Sequence, residues 1–508
     1  MLTRNSTVVI LALSATLLRA QNTPSSGNTS SLIPQLEQYI QDGMKKTAVP
    51  GLSIAIVDHD KVVYLKGFGL RRIGDPACVD ADTVFQLASV SKPIASTVVA
   101  SLVGTGEVSW DDRIEVLDPE FQLSNPAVTS QVTIRDFLSH RSGLPTDSGD
   151  ALEDLYFSRS EVLHRIRLID LTAPFRTKFQ YSNFGYTEGA IAAAKKAGIQ
   201  WETLAVERLF APLHLSSTSY RFSDFFNSSN RAYGHFFIDG KPVAKFLREP
   251  DAEAPAGSAS SSARELAEWL RLQLANGSWN GQQIVDAKAL DETHQPQISR
   301  GKNPQTGAES YYGLGWNVDY DSKGRVVLDH SGAFFVGAGT TVKFSPSQQI
   351  GILVLTNASP TGLAEAIASD FFDLYDYGSV TQDWQTYWGN IFKQLVDSVF
   401  GSVKDYSKLP PPNPPEPSQP LSSYVGTYHS DYYGDLEIRE EDSGLAMYLP
   451  RYRDHYALTH WSGNTFTFYF ASEGTGIGIR GIQFLDGNKQ AFVEPLASEA
   501  GGLFTRVN

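Results

Sequence analysis

The chain has one cysteine in 508 residues, Cys78, so no internal disulfide can form. It has no basic cluster: 42 Lys and Arg stand against 56 Asp and Glu, and a net charge of -14 disfavours nucleic acid or an anionic membrane surface as partner. The histidines show no His-Glu-x-x-His or similar ligand spacing, so no metal site is expected. Neither a phosphate-binding glycine loop nor a dinucleotide fingerprint occurs, and no cofactor is expected. Long apolar runs are missing as well. The best is Val8 to Leu18, too short to span a bilayer; with Arg4 ahead and Leu18-Arg19-Ala20 behind, residues 1–20 read as a signal peptide. An N-terminal anchor is the alternative. The expected product is secreted and extracellular, with no membrane contact after signal removal. Sequons at Asn28, Asn227, Asn276 and Asn357 fit a glycoprotein, the last weakened by Pro360.

Patterns divide the rest. Ile33 to Met44 reads as an amphipathic helix, and Gly51 to Val57 with Lys61 to Gly69 as a β-hairpin. Ile94 to about Leu274 is mainly helical. Strand patterns return at Leu314 to Val318, Arg325 to Asp329, Gly339 to Phe344 and Ile350 to Thr356, which suggests that the two ends of this region share one antiparallel sheet. Helices follow at Leu363 to Leu374 and Trp384 to Phe400. Pro410 to Pro417 reads as a stiff linker, and Tyr424 to Val507 as a small all-β barrel or sandwich. The domains expected are 31–405 with its trailing helices, a linker at 406–420, and a β-domain at 421–508.

Chemistry enters at Phe85 to Pro93, which contains Ser89-x-x-Lys92. Residues three apart share a helix face, so a Lys92 amine kept neutral could take the proton of the Ser89 hydroxyl. The bland alternative is an N-cap beside a solvated charge. Two further motifs add weight. Tyr181-Ser182-Asn183 offers a second proton-transfer group, a tyrosinate that could act as base beside Lys92, and an amide donor to a substrate carbonyl, and His330-Ser331-Gly332, near the end of a predicted strand, would let a substrate lie close. His140 is expected to support the Arg141-Ser142-Gly143 turn.

At these residues the chain resembles the serine β-lactamase-like, penicillin-recognising hydrolases: class C β-lactamases, DD-peptidases, D-aminopeptidases and related esterases. The likeness runs from about Leu32 to Leu374. It includes Phe85 to Ala88, Thr133 to Leu144, Pro255-Ala256-Gly257 and Tyr312 to Trp316. It implies an α/β (α+β) fold, an antiparallel sheet flanked by helices with a helical subdomain. It also implies acylation of Ser89, proton transfers shared by Lys92 and Tyr181, and substrate orientation by Asn183, with the backbone N–H groups of Ser89 and Ala333 as oxyanion hole. The tail resembles the lipocalin-like domain that follows the catalytic domain in some D-amino-acid peptidases of the group. Where class C β-lactamases carry Lys-Thr-Gly this chain has His330-Ser331-Gly332, and a histidine is largely neutral near pH 7, so efficient β-lactam hydrolysis is not expected.

The expectation is therefore a metal-independent serine hydrolase acting on a small-molecule or peptide amide or ester. An acyltransferase using the same acyl-enzyme and a non-catalytic binding protein that keeps the fold are the alternatives. Roofing the active site or forming a homo-oligomer are the uses open to the β-domain.

Overall fold

The computed structural model describes residues 29–401, 403–451 and 455–507. The expected signal segment and Asn28 lie outside the described residues. Helix α1 (Thr29–Thr47) leads into the hairpin β1 (Gly51–Asp58) and β2 (Lys61–Gly69), followed by α2 (Ser91–Gly104). The helical region holds α3 (Ile134–Leu138), α4 (Asp150–Asp154), α5 (Asn183–Ala197) and α6 (Ala263–Leu274). Six strands follow: β3 (Ile298–Lys302), β4 (Glu309–Tyr312), β5 (Asn317–Tyr320), β6 (Val326–Phe334), β7 (Ala338–Ser345) and β8 (Ile350–Thr356). Helices α7 (Leu363–Tyr377) and α8 (Trp384–Gly401) complete the domain.

The sheet order is β2-β1-β8-β7-β6-β5-β4-β3, antiparallel throughout, with Leu52 opposite Thr356. The two ends of the region do share one sheet. Strand β1 is buried on both faces from Gly51 to Val57 and is apolar there apart from Ser53, so both faces are covered. Ile54 and Ile56 pack with Leu36 and Ile40 of α1 and Ile367 and Phe371 of α7, whereas Ala55 and Val57 belong to the core on the other face, where α6 packs. Helix α2 is apolar nearly all round and buried from Ser91 to Leu102, as a helix without a polar face must be. Its hydroxyls do not break that burial, because Ser96 and Thr97 donate back to the Pro93 carbonyl at 3.1 and 2.8 Å.

Two strand expectations change. The predicted Leu314 to Val318 is instead a turn with Gly315 at φ 86°, followed by β5; a Cβ on Gly315 would lie 2.7 Å from the Tyr186 hydroxyl oxygen. Strand β6 runs on to Phe334, so His330-Ser331-Gly332 sits inside a strand. Pairing with β5 ends at Asp329, which leaves residues 330–334 bonded on the β7 side only. The sequon at Asn357 is overturned as a glycan site. Its side chain is 2% exposed; Oδ1 accepts from the Gly51 N–H at 2.8 Å, and Nδ2 donates to the Leu70 and Arg71 carbonyls at 3.1 and 3.0 Å. Asn227 and Asn276 are exposed.

The tail is a closed barrel of eight antiparallel strands: β9 (Gly426–Ser430), β10 (Gly434–Glu441), β11 (Gly444–Tyr448), β12 (Tyr456–Ser462), β13 (Thr465–Ser472), β14 (Gly476–Leu485), β15 (Gln490–Val493) and β16 (Leu503–Arg506), with the short helix α9 (Ala497–Ala500) before the last. A barrel of this size is just wide enough for side chains to fill it. Here buried Tyr424, Tyr428, Phe466 and Phe484 do so, with ring centroids 4.7 to 5.9 Å apart. The proline-rich run is laid along the barrel wall, where the Glu416 N–H donates to Ser462 Oγ at 3.1 Å.

Candidate active site

Ser89 sits in a tight turn, Ala88–Val90, that feeds directly into α2, so it precedes the helix and Lys92 lies in the first turn. The turn is tied on both sides. The Leu87 N–H donates to the Ala259 carbonyl at 2.8 Å, and Thr340 Oγ1 of β7 donates to the Leu87 carbonyl at 2.7 Å. Ala88 is held at φ 49°, a left-handed conformation that costs a residue with a Cβ of order 1 kcal/mol. The half-buried Ser89 side chain that follows faces Lys92 and Tyr181.

Lys92 is fully buried and has three polar neighbours. Its Nζ lies 2.7 Å from Asn183 Oδ1, 3.1 Å from the Ala256 carbonyl oxygen and 3.2 Å from Ser89 Oγ. Burial pushes its pKa down to about 8, against the opposing pull of Glu253, Asp150 and Glu153. A neutral amine has two hydrogens and one lone pair. Asn183 Oδ1 and the Ala256 carbonyl can only accept, so they take the two hydrogens and leave the lone pair for the one neighbour with a proton to give, Ser89.

The Tyr181 hydroxyl donates to Ser89 Oγ at 2.8 Å, and the Lys92 amine lies 4.5 Å from the centre of the Tyr181 ring. Burial raises the Tyr181 pKa well above its ordinary value, so the phenol stays protonated and acts here as a donor rather than as a tyrosinate base. Ser182 begins α5 as its cap, accepting from the Gly185 N–H at 3.1 Å, which fixes Tyr181 and Asn183 on either side. His140 does more than support its own turn. Its Nδ1 accepts from the Ser182 N–H at 3.1 Å and its ring lies 4.4 Å from that of Tyr181; burial keeps it neutral.

On the opposite wall His330 is buried between two partners. Nδ1 lies 2.8 Å from the Ser331 carbonyl oxygen, which can only accept, so Nδ1 carries the proton and Nε2 accepts from the Tyr312 hydroxyl at 2.9 Å. Burial, aided by the Lys92 charge, lowers its pKa to about 3, so the side chain that stands in the lysine's place is neutral. Arg300 brings a guanidinium to this side, 5.7 Å from the centre of the Phe179 ring. Gly332 is the point of closest approach: a Cβ there would lie 2.1 Å from the Leu87 carbonyl oxygen and 3.1 Å from Ser89 N, so only glycine lets β6 run beside the serine. Ala333 follows on the same strand.

Ser89, Lys92, Tyr181, Asn183, His330 and Gly332 thus converge from three parts of the chain. The Beta-lactamase family model matches residues 36–371. The chain belongs to the beta-lactamase family. Among its curated relatives, the unguisins hydrolase ungD' of Aspergillus campestris is 26% identical over 82% of this chain and 80% of its own length, and ungD of Aspergillus violaceofuscus 24% identical over 88% and 84%. Protein flp of Staphylococcus aureus is 24% identical over 64% of this chain and 62% of its own. The octameric penicillin-binding protein homologue of Pyrococcus abyssi shares the fold, with a TM-score of 0.59 and 20% identity over 91% of this chain and 98% of that one. Residues 410–489 match a domain of unknown function, DUF3471.

Sequence reasoning missed three features of this beta-lactamase-family site. The first is Asp150, whose carboxylate oxygens lie 3.3 and 3.5 Å from Asn183 Nδ2 and so decide which way round that amide faces. The second is the Ala256 carbonyl, a backbone group with no signature of its own. The third is a set of carboxylates behind the site. Glu153 and Glu253 lie 2.6 and 3.1 Å from the Arg248 guanidinium and Asp154 lies 3.6 Å away, and the barrel adds Glu473, which accepts from the Phe335 and Val336 N–H groups. Among the described residues no three His, Cys, Asp or Glu side chains are placed to hold a metal ion.

Proposed function

We propose that the chain is a serine hydrolase of amides or esters working through an acyl-enzyme on Ser89, of D-amino-acid peptidase or esterase type. The observation that carries the reading is the set of Lys92 partners: two carbonyl acceptors and one hydroxyl donor, around an amine whose pKa burial brings within reach of neutrality. In the first half-reaction Ser89 Oγ bonds to the substrate carbonyl carbon while its proton passes to Lys92 Nζ. The oxyanion is met by the N–H groups of Ser89 and Ala333. When the tetrahedral species collapses, the carbon–leaving-group bond breaks and the departing amine or alcohol takes a proton from Lys92, with the Tyr181 hydroxyl beside Ser89 Oγ as the second proton carrier. Water repeats the sequence on the ester to free Ser89.

Hydrolysis is favoured over transfer by the two Aspergillus relatives, both named as hydrolases. The neutral His330 favours substrates without a carboxylate at that place. Export with glycans on Asn227 and Asn276 completes the proposal; a mass shift on glycosidase treatment of the secreted protein checks it.

The test is a paired assay of a D-amino-acid anilide, its L form and a short-chain p-nitrophenyl ester, with Ser89→Ala as blank and a fluorophosphonate probe for labelling. Turnover of either class that vanishes in Ser89→Ala, with the label on Ser89, is expected. An unchanged rate in that variant, or no label on Ser89 in folded protein, overturns the reading.

A further inference from the structure

The barrel touches the catalytic domain beside α4, the short helix that carries Asp150. Glu499 of α9 accepts from the Gly149 N–H through Oε2 at 3.0 Å and from the Ala151 N–H through Oε1 at 2.5 Å, and the Tyr432 hydroxyl also donates to it. The two amides flank Asp150. Gly149 stands at φ 97°, so the chain turns sharply just there. Beyond Asp150 the bonds continue inward: Asn183 Nδ2 donates to its carboxylate, Asn183 Oδ1 lies 2.7 Å from Lys92 Nζ, and Lys92 Nζ lies 3.2 Å from Ser89 Oγ.

We propose that Glu499 is a positioning residue for the Ser89 site: it fixes the backbone on either side of Asp150, Asp150 fixes which way round Asn183 faces, and Asn183 thereby aims the Lys92 amine at Ser89. The barrel is then part of the catalytic apparatus, whether or not it also meets substrate. The inference rests on the reading of Ser89 as nucleophile and Lys92 as its base.

The stereochemistry makes each link necessary. A side-chain amide can be turned end for end, and turned round it would offer Lys92 an NH2 group, whose hydrogens would compete with the serine for the amine lone pair. A carboxyl on the other side opposes that turn: burial raises the Asp150 pKa well above its ordinary value, yet its carbonyl oxygen accepts from the amide NH2 in either protonation state. Asp150 can serve only if its own backbone is held, and the barrel supplies the acceptors that hold it.

Lys92 is faced by Asp150 and Glu153 from α4, by Glu253, by the rings of Tyr181 and Tyr186, and by His140 and His330. Among these Asp150 raises the Lys92 pKa. Asp150 is itself held well above the ordinary carboxylate range by burial and by Asp147, Glu253, Glu499 and Glu153, so removing Glu499 makes Asp150 easier to ionise and moves the midpoint of Ser89 labelling up, whereas removing the Asp150 carboxyl moves it down.

The experiment uses the full chain and measures fluorophosphonate labelling of Ser89 from pH 5 to pH 10, with kcat and KM for p-nitrophenyl acetate. Glu499→Ala is expected to slow labelling about a hundred-fold, leave KM within about two-fold, and move the midpoint up from near pH 8. Glu499→Gln keeps one acceptor and falls between. Asp150→Asn, which keeps an acceptor but drops the carboxyl, shifts the midpoint the other way, down, with a smaller loss of rate. Arg451→Ala removes a different contact between the barrel and the catalytic domain, the ion pair with Glu161, and leaves rate and midpoint as in the wild type. A wild-type rate and midpoint in Glu499→Ala overturns the proposal, and so does an equal loss in Arg451→Ala. Should Glu499→Ala fail to fold, Glu499→Gln decides on the same criteria. Labelling that persists in Ser89→Ala would instead sink the reading of the site itself.

Discussion

Burial acts on both the Lys92 pocket and the barrel interface, and it acts in opposite directions. In the pocket it strips an amine of its charge: Lys92 falls to about 8 because two carbonyls and a hydroxyl surround it and no carboxylate touches it. At the interface it hinders acids from ionising. Glu473 and Glu499 rise to about 7, and Glu153 goes well above its ordinary value, because burial outweighs what opposes it: Arg248 for Glu473 and Glu153, and the Tyr432 hydroxyl for Glu499. Burial favours the neutral amine in the first region and the neutral acids in the second, while Arg248 keeps its charge among them. The pocket needs that neutrality for chemistry, and the interface turns it into proton uptake on docking.

The largest expected effect breaks the pocket. Lys92→Ala removes the proton acceptor and should slow acylation by about a thousand-fold or more. In the unaltered protein the acylation rate should climb with pH to a midpoint near 8, since only the neutral amine accepts a proton. A midpoint near 6 would assign the base to another group. The next breaks the interface. Arg248→Met takes away the cation shared by three carboxylates and leaves them buried without it, which should cost about 3–5 kcal/mol in chemical denaturation. An unchanged unfolding midpoint would show that the carboxylates are already protonated and need no partner.

The smallest effect sharpens the contrast. Glu473 and Glu499 bind protons more tightly folded than unfolded, so their contribution is full below the unfolded value near 4.5 and is lost as pH rises through about 7. The melting temperature should therefore fall by a few degrees between pH 5 and pH 8, and Glu473→Gln should flatten that slope without moving the labelling midpoint.

What the sequence disclosed follows the range of the interaction. Ser89 and Lys92 are one turn apart, so their spacing alone names them, and the strands of the central sheet announce themselves by apolar residues buried on both faces. Strands β3 and β4 were not legible, being short, polar and broken by Gly301 at φ 91°. Asn357 shows the limit of a local pattern: a sequon states what precedes the serine, not that its asparagine is spent on holding Gly51 and Leu70. Glu499 lies 350 residues from Gly149, and no periodicity or motif reaches across that distance.

The pairing of Leu52 with Thr356 also sets a schedule for synthesis. At ~5–20 residues per second a ribosome needs roughly 15–60 s to deliver β8 after β1. Through that interval the apolar hairpin of β1 and β2 has an open edge, the template on which strands of other chains aggregate. The helices between them emerge first and can shield only one face. A newly made chain is therefore most in need of a chaperone before its last third exists, and closure of the sheet by β8 ends that need.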